Sequence, residues 1–310
     1  MSGVALDIGG TKIAVSRVSD DGALLGEVRS VPTPARSGAR AVLRAAANLV
    51  GEVQSRGDRF LGVSSAGVVD PKTGAIAAAT DTIPGWAGTD LRGRLADLTG
   101  LDTSVINDGH AFALGEHAWG EARSAQSMLV VAVGTGVGGA FVADGRVLIG
   151  ATGRAGHLGH LPVPEAQGIG CTCGASGHAE AVGGGAGILA AYRRRRAEQP
   201  SGSADGSKID SVGELVRRAS RDDLAREVID LGGRAVGTLI GGLANALDPE
   251  VVVVGGGVAQ SGDTWWAALT SAARVAQMAA APELTLTRSR ASGEMALLGA
   301  ARHALEGARP

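Results

Sequence analysis

The stretch Val4-Ala5-Leu6-Asp7-Ile8-Gly9-Gly10-Thr11-Lys12-Ile13-Ala14-Val15-Ser16-Arg17-Val18 joins an apolar run, a glycine turn and an alternating run. It reads as a buried strand, a tight turn and a second strand. Asp20-Asp21-Gly22 makes the next hairpin turn, and residues 24–31 read as a third strand. The same device recurs later as a strand over 128–133, the turn Gly134-Thr135-Gly136-Val137-Gly138-Gly139, a strand over 140–143, the turn Asp144-Gly145 and a strand over 146–149. This internal duplication carries more than either half alone.

Between the copies, apolar spacing predicts a helix over 39–54, a strand over 60–64, a loop over 80–86, a short helix over 90–99, a strand over 103–106 and a helix over 109–119. Beyond Glu180 the pattern is mainly helical. The run Arg193 to Arg196, with the Gly/Ser-rich segment 201–207, reads as a solvated connection between helices. Val251-Val252-Val253-Val254 predicts a buried strand before Gly255-Gly256-Gly257, and a last apolar helix is expected over 295–306.

At 310 residues the chain has room for two domains sharing a cleft. A net charge of -2 provides no basic field for nucleic acid or an anionic membrane, so neither is expected as a partner. No apolar run is long enough to span a bilayer and no basic, apolar leader is seen. The two cysteines stand one residue apart, which argues for a reducing compartment, and a cytoplasmic location is expected. The 50 glycines gather in short clusters after apolar runs, as where backbone approaches a ligand.

Asp7, Gly9, Gly10, Thr11 and Lys12 can offer a phosphate backbone N–H groups, a hydroxyl and an ammonium, and Asp7 could hold Mg²⁺ through water. No helix follows, which separates the loop from the Gly-Lys-Ser/Thr loop of P-loop NTPases. Gly9-Gly10 alone could equally be only a hairpin turn, and its repetition at Gly134-Thr135-Gly136 and Gly138 speaks for phosphate binding. Gly256 and Gly257 offer a third close approach, for a nucleoside or for tight strand–helix packing. Asn107-Asp108 follows a strand and opens a helix. Asp108 could be an N-cap, or a carboxylate that takes the proton of an attacking hydroxyl. The block from Gly156 to Glu180 holds both cysteines and three of the six histidines, enough for a four-ligand zinc shell with polar groups to spare.

Taken together, these motifs and Ser65-Ala66-Gly67-Val68-Val69-Asp70 and Ile83-Pro84-Gly85-Trp86 resemble the ROK family of sugar kinases and repressors, within the actin-like ATPase superfamily. The resemblance spans nearly the whole chain. It implies a two-lobed α/β fold, each lobe built on a ribonuclease-H-like sheet, with a central ligand cleft. Residues 1–107 plus 296–310 would form the N-terminal lobe and 108–295 the C-terminal lobe.

ATP and a sugar would be the substrates. Asp108 would be the general base for a sugar 6-hydroxyl, with Gly67, Asn107, Asp108, His157, His160 and Glu180 lining the sugar. A homodimer or homotetramer would follow by analogy. Two positions depart from the family pattern. Where the family carries Gly-Glu-X-Gly-His, this chain reads Gly156-His157-Leu158-Gly159-His160. Where the family's last cysteine stands, this chain has His178. The second exchange keeps a zinc-competent donor, giving His160, Cys171, Cys173 and His178 as a structural Cys₂His₂ set; alternatively the fourth ligand is lost.

His157 replaces a carboxylate that binds sugar. It is either drift or a change of substrate among glucose, N-acetylmannosamine and an amino sugar such as kanosamine. A repressor would carry a helix-turn-helix before the phosphate loop and often lacks part of that loop. Here the strand follows Met1 almost at once, and Asp7, Gly9, Thr11 and Lys12 are kept, which favours the enzyme.

Overall fold

A computed structural model describes residues 2–198, 209–290 and 294–307. In chain order the elements are β1 (Ser2–Ile8), β2 (Lys12–Ser19), β3 (Arg29–Pro32), α1 (Ala39–Val53), β4 (Asp58–Ser65), β5 (Val68–Val69), β6 (Ile76–Ala78), α2 (Leu91–Thr99), β7 (Asp102–Asn107) and α3 (Asp108–Trp119). Then come β8 (Ser127–Val133), β9 (Val137–Ala143), β10 (Arg146–Val147), α4 (Glu180–Gly183), α5 (Gly185–Glu198), α6 (Val212–Arg218) and α7 (Asp223–Leu247). The chain closes with β11 (Val251–Gly255), α8 (Asp263–Ala276), β12 (Leu286–Arg288) and α9 (Glu294–Gly307). Two compact units result. Unit 1 holds Met1–Gln126, Ala140–Gly156 and Arg290–Pro310; unit 2 holds Ser127–Gly139 and His157–Ser289.

In unit 1 the strands run in the order β3-β2-β1-β4-β7, antiparallel from β3 to β1 and parallel from β1 to β7. Alternation along β1 sends Val4, Leu6 and Ile8 into a core shared with Val42, Leu49 and Leu95 of α1 and α2. Ala5 faces the other way, onto Leu297 and Ala301 of α9. That second face is built for close approach. A Cβ at Gly62 would stand 2.3 Å from the Ala300 carbonyl oxygen, and one at Gly115 would stand 2.1 Å from that of Met295. The first contact seats α9 on the sheet and the second seats it on α3. Helix α3 therefore belongs to unit 1, whereas the sequence boundary at residue 107 assigned it to the second lobe. Its small residues pair it with α9, a partner almost two hundred residues away.

A second sheet has the order β10-β9-β8-β11-β12 with β8, β11 and β12 parallel, which matches β3-β2-β1-β4-β7; β8, β11, β12 and only the first residues of β9 belong to unit 2. The duplication predicted from sequence is thus a duplicated strand order. Its helical layer turns on α7, where Gly233, Gly237 and Gly241 meet the carbonyls of Trp265, Leu269 and Ala273 on α8. Glycines four residues apart form a flat ridge that lets the two helices close to backbone distance.

Several local expectations shift. The strand expected over 24–31 shortens to β3, with Leu24 making only a bridge to Val18. The second glycine turn is short, because β9 already starts at Val137 and closes with β10 at Val147 instead of 149. Arg193 to Arg196 lie inside α5, where Arg193 reaches Asp210 and Arg195 reaches Glu227. The segment 201–207 lies outside the described residues. Among the described residues no helix is long and apolar enough to cross a membrane.

Candidate functional site

Unit 1 carries the first glycine turn and the carboxylates. Asp7 sits near the end of β1, in register with Ser64 on β4, and the Ser64 hydroxyl donates to its Oδ1 at 2.6 Å. Burial, reinforced by the nearby Asp108 carboxylate, pushes the Asp7 pKa up to about 6 against the opposing pull of Ser64 and Lys12. The turn closes by a Gly9 N–H bond to the Lys12 carbonyl. Thr33 braces it by donating its hydroxyl to the Gly9 carbonyl at 2.7 Å and its N–H to that of Thr11. Thr11 and Lys12 are left exposed.

Asn107, not Asp108, is the N-cap of α3. Its Oδ1 accepts from the N–H groups of Gly109 and His110, and Asp108 stands one position inside the helix. The Asn107 amide also donates to the Gly67 carbonyl at 2.9 Å and to Asp108 Oδ1 at 2.9 Å. Its donors and acceptor are thereby occupied. Gly67 has φ +95°, where a side chain would be strained and its Cβ would lie 2.9 Å from the Ala78 carbonyl oxygen. The buried Trp86 indole secures the same loop by donating to the Ala66 carbonyl, which accounts for the Ile83-Pro84-Gly85-Trp86 motif.

Asp108 Oδ1 also accepts the Gly109 N–H at 2.8 Å. The residue is exposed as a whole, yet enough protein surrounds its carboxylate that lost hydration raises its pKa above the usual carboxylate range. The Gly109 and Asn107 bonds oppose the rise without cancelling it.

Unit 2 carries the second turn and the His/Cys block. Gly185 and Ala186, at the start of α5, donate their N–H groups to the Gly134 and Thr135 carbonyls. Val137 N–H donates to Glu180 Oε2 at 3.0 Å, and a Cβ on Gly136 would collide with that oxygen. At Gly134 and Gly138 an added Cβ would meet nothing within 4 Å, so that side of the turn has room for a ligand. Gly256 is closely packed on its Cβ side. With φ +91° it lies against Val133 of β8, 2.4 Å from the carbonyl oxygen to its notional Cβ, which is tight packing between strands; Gly257 faces open space.

The donor atoms of His160, Cys171, Cys173 and His178 all lie within 4.8 Å of one another. Cys171 Sγ is 3.7 Å from His160 Nδ1, and Cys173 Sγ is 3.3 Å from His178 Nδ1. Tetrahedral zinc bonded to sulfur at about 2.3 Å and nitrogen at about 2.0 Å places such pairs about 3.6 Å apart. The four residues fit that ion, and His178 falls where a fourth donor is needed. His157 lies beside them, its ring 6.2 Å from that of His160 at 25°.

The predicted residues thus assemble in two sets. Asp7, Gly9, Gly10, Thr11, Lys12, Gly67, Asn107 and Asp108 stand in unit 1. The second turn, His157, His160, Glu180 and the donor set stand in unit 2. Ser64 and Thr172 were missed. Ser64 had no signal short of strand register; Thr172, between the two cysteines, was in plain view.

The ROK family model matches residues 3–306. A Citrobacter koseri N-acetylmannosamine kinase is 37% identical over 260 residues, covering 83% of this chain and 84% of that protein. Among solved structures, a ROK hexokinase from Thermus thermophilus is 34% identical, with a TM-score of 0.84 and 99% of both chains covered. A ROK family glucokinase from Streptomyces griseus, in complex with glucose and AMPPNP, is 27% identical with a TM-score of 0.82, covering 99% of this chain and 100% of that one. With a two-unit α/β architecture of the actin-like ATPase type and a match over nearly its whole length, this chain belongs to the ROK family.

Proposed function

We propose that this chain is an ATP-dependent sugar kinase that transfers the γ-phosphoryl group to the 6-hydroxyl of a hexose-type sugar. The observation that carries the reading is Asp108. The Asn107 and Gly109 hydrogen bonds to its carboxylate both fall on Oδ1, and Oδ2 would take the hydroxyl proton. Its raised pKa makes it a stronger proton acceptor than a free carboxylate. As the sugar oxygen bonds to the γ-phosphorus, its proton passes to Asp108, the bond to the bridging oxygen breaks and ADP leaves. Asn107, with its amide fully engaged, acts by holding Asp108 and Gly67 in place.

In this reading the Gly9–Lys12 and Gly134–Gly138 turns bind phosphates, and Gly257 admits the nucleoside. Mg²⁺, held near Asp7, would neutralise charge on the β- and γ-phosphate oxygens. Zinc on His160, Cys171, Cys173 and His178 would fix the shape of that loop. With Nδ1 turned toward the donor set, His160 keeps Nε2 for a sugar hydroxyl. Gly67, His157 and Glu180 complete the sugar contacts.

His157 selects among sugars by charge. With the family's carboxylate replaced at this position an ammonium loses one compensating charge, so neutral hexoses and N-acetylated hexosamines are favoured over free amino sugars. N-acetylmannosamine is the second substrate to weigh, because the Citrobacter koseri relative carries that name.

The test is ADP release over glucose, mannose, N-acetylmannosamine and a free amino sugar, with the wild type, Asp108→Asn and His157→Glu. Sugar-stimulated turnover that Asp108→Asn lowers by about 10²–10⁴-fold supports the reading. No turnover with any sugar overturns it, and an unimpaired Asp108→Asn removes the base. A gain on the free amino sugar in His157→Glu would mark residue 157 as a charge filter; an unchanged profile would reject that role.

A further inference from the structure

Thr172 stands between Cys171 and Cys173, and its hydroxyl donates to Glu180 Oε1 at 3.2 Å. The other oxygen of that carboxylate accepts the Val137 N–H at 3.0 Å, at the downstream end of the second glycine turn. One carboxylate therefore ties the donor loop to the turn. The upstream end of the turn is held through backbone bonds from Gly185 and Ala186. Space around the carboxylate is tight. A Cβ on Gly136 would come within 2.3 Å of Oε2, and one on Gly159 would come within 2.2 Å of the Val137 carbonyl oxygen and 3.1 Å of Glu180 Cβ.

The geometry points to Thr172 as a positioning residue for nucleotide binding: through Glu180 it fixes the Gly136–Val137 peptide of the phosphate turn. This inference rests on the kinase reading above. The terminal torsion of a glutamate is soft, so an oxygen pinned at one end sets the direction of the other. A turn already ordered before the nucleotide arrives spends less binding energy on ordering itself. Thr172 touches neither nucleotide nor sugar in this scheme; it acts through Glu180.

Thr172→Val is the informative substitution. It removes the hydroxyl while keeping side-chain shape, the Glu180 charge and all four metal donors. Because the hydroxyl is exposed, its contribution is modest, and the dissociation constant for Mg²⁺–AMPPNP without sugar is expected to rise three- to tenfold. The KM for ATP should rise in parallel, with kcat within twofold of wild type. Thr172→Ser should restore both constants to within twofold.

Zinc content and melting temperature are measured on every variant; should the valine protein lose either, the serine protein decides. Wild-type affinity in Thr172→Val, or no recovery in Thr172→Ser, overturns the inference and leaves the kinase reading standing. A wild type that neither binds AMPPNP nor turns over any sugar overturns both.

Discussion

Replacing Asp7 by Asn should stabilise the protein above pH 6 while impairing activity. In the folded chain Asp7 titrates at about 6, against 3.8 for an unperturbed aspartate. Below pH 3.8 the carboxyl is protonated in both states and has no effect on the balance. Between the two values the unfolded chain loses its proton and the folded chain keeps it, so stability falls as pH rises. At about 1.4 kcal/mol per pKa unit, the loss levels off above pH 6 at about 3 kcal/mol, an upper bound because Asp7 retains some exposure. Asn carries no charge, yet its Oδ1 can still accept from the Ser64 hydroxyl. The wild-type and Asp7→Asn curves should meet near pH 4 and diverge by pH 8. The gap should be up to about 3 kcal/mol, or about 6–12 °C in Tm for a unit of this size. Denaturant unfolding followed by circular dichroism from pH 4 to 8 measures it, with sugar kinase turnover in parallel. Parallel curves, or a less stable Asn variant at pH 8, would refute the reasoning that burial dominates at Asp7.

Three further outcomes follow from the same geometry. Protonation disables a base, and burial raises the Asp108 pKa, so the acid limb of kcat/KM against pH should lie above the ordinary carboxylate value of about 4; a limb at or below it would contradict the assignment. Purified protein should contain about one zinc per chain, lost in Cys171→Ser together with part of its thermal stability; metal-free wild type that melts unchanged would dismiss the donor set as a structural site. Gly237→Val would force a side chain against the Leu269 carbonyl and should cost about 3 kcal/mol or more. Gly242→Ala, on the open side of the same helix, should gain about 0.5–1 kcal/mol; equal thermal shifts would argue against the α7–α8 contact.

Much of the fold was legible because its signals are local. Alternating apolar residues marked β1, β2, β4 and β8, and glycines after them marked both turns. The donor set was also legible, since Cys171, Cys173 and His178 are sequence neighbours and need only a tight loop to converge. The errors came where the deciding partner is distant. Asp108 was a reasonable N-cap candidate by residue type, yet the cap is Asn107, because its amide also reaches Gly67 across to the loop after β4. For Gly256 the sequence left ligand approach and close packing both open, and the crowding against Val133 appears only through the pairing of β11 with β8.

By itself the sequence determined the strand–turn–strand duplication, the two glycine turns and the carboxylate at the start of α3, while the four-residue His/Cys set was implied by the family resemblance. Periodicity and spacing along one chain suffice for these. Tertiary structure alone decided that Ser64 pairs with Asp7, that α3 packs with α9 in unit 1, and that Glu180 spans from Thr172 to Val137. The Ser64–Asp7 and Val137–Glu180 bonds join residues 57 and 43 positions apart, and α3 meets α9 from still farther along the chain. Side-chain reach is only a few ångströms, so these partnerships exist only once the backbone has brought the segments together.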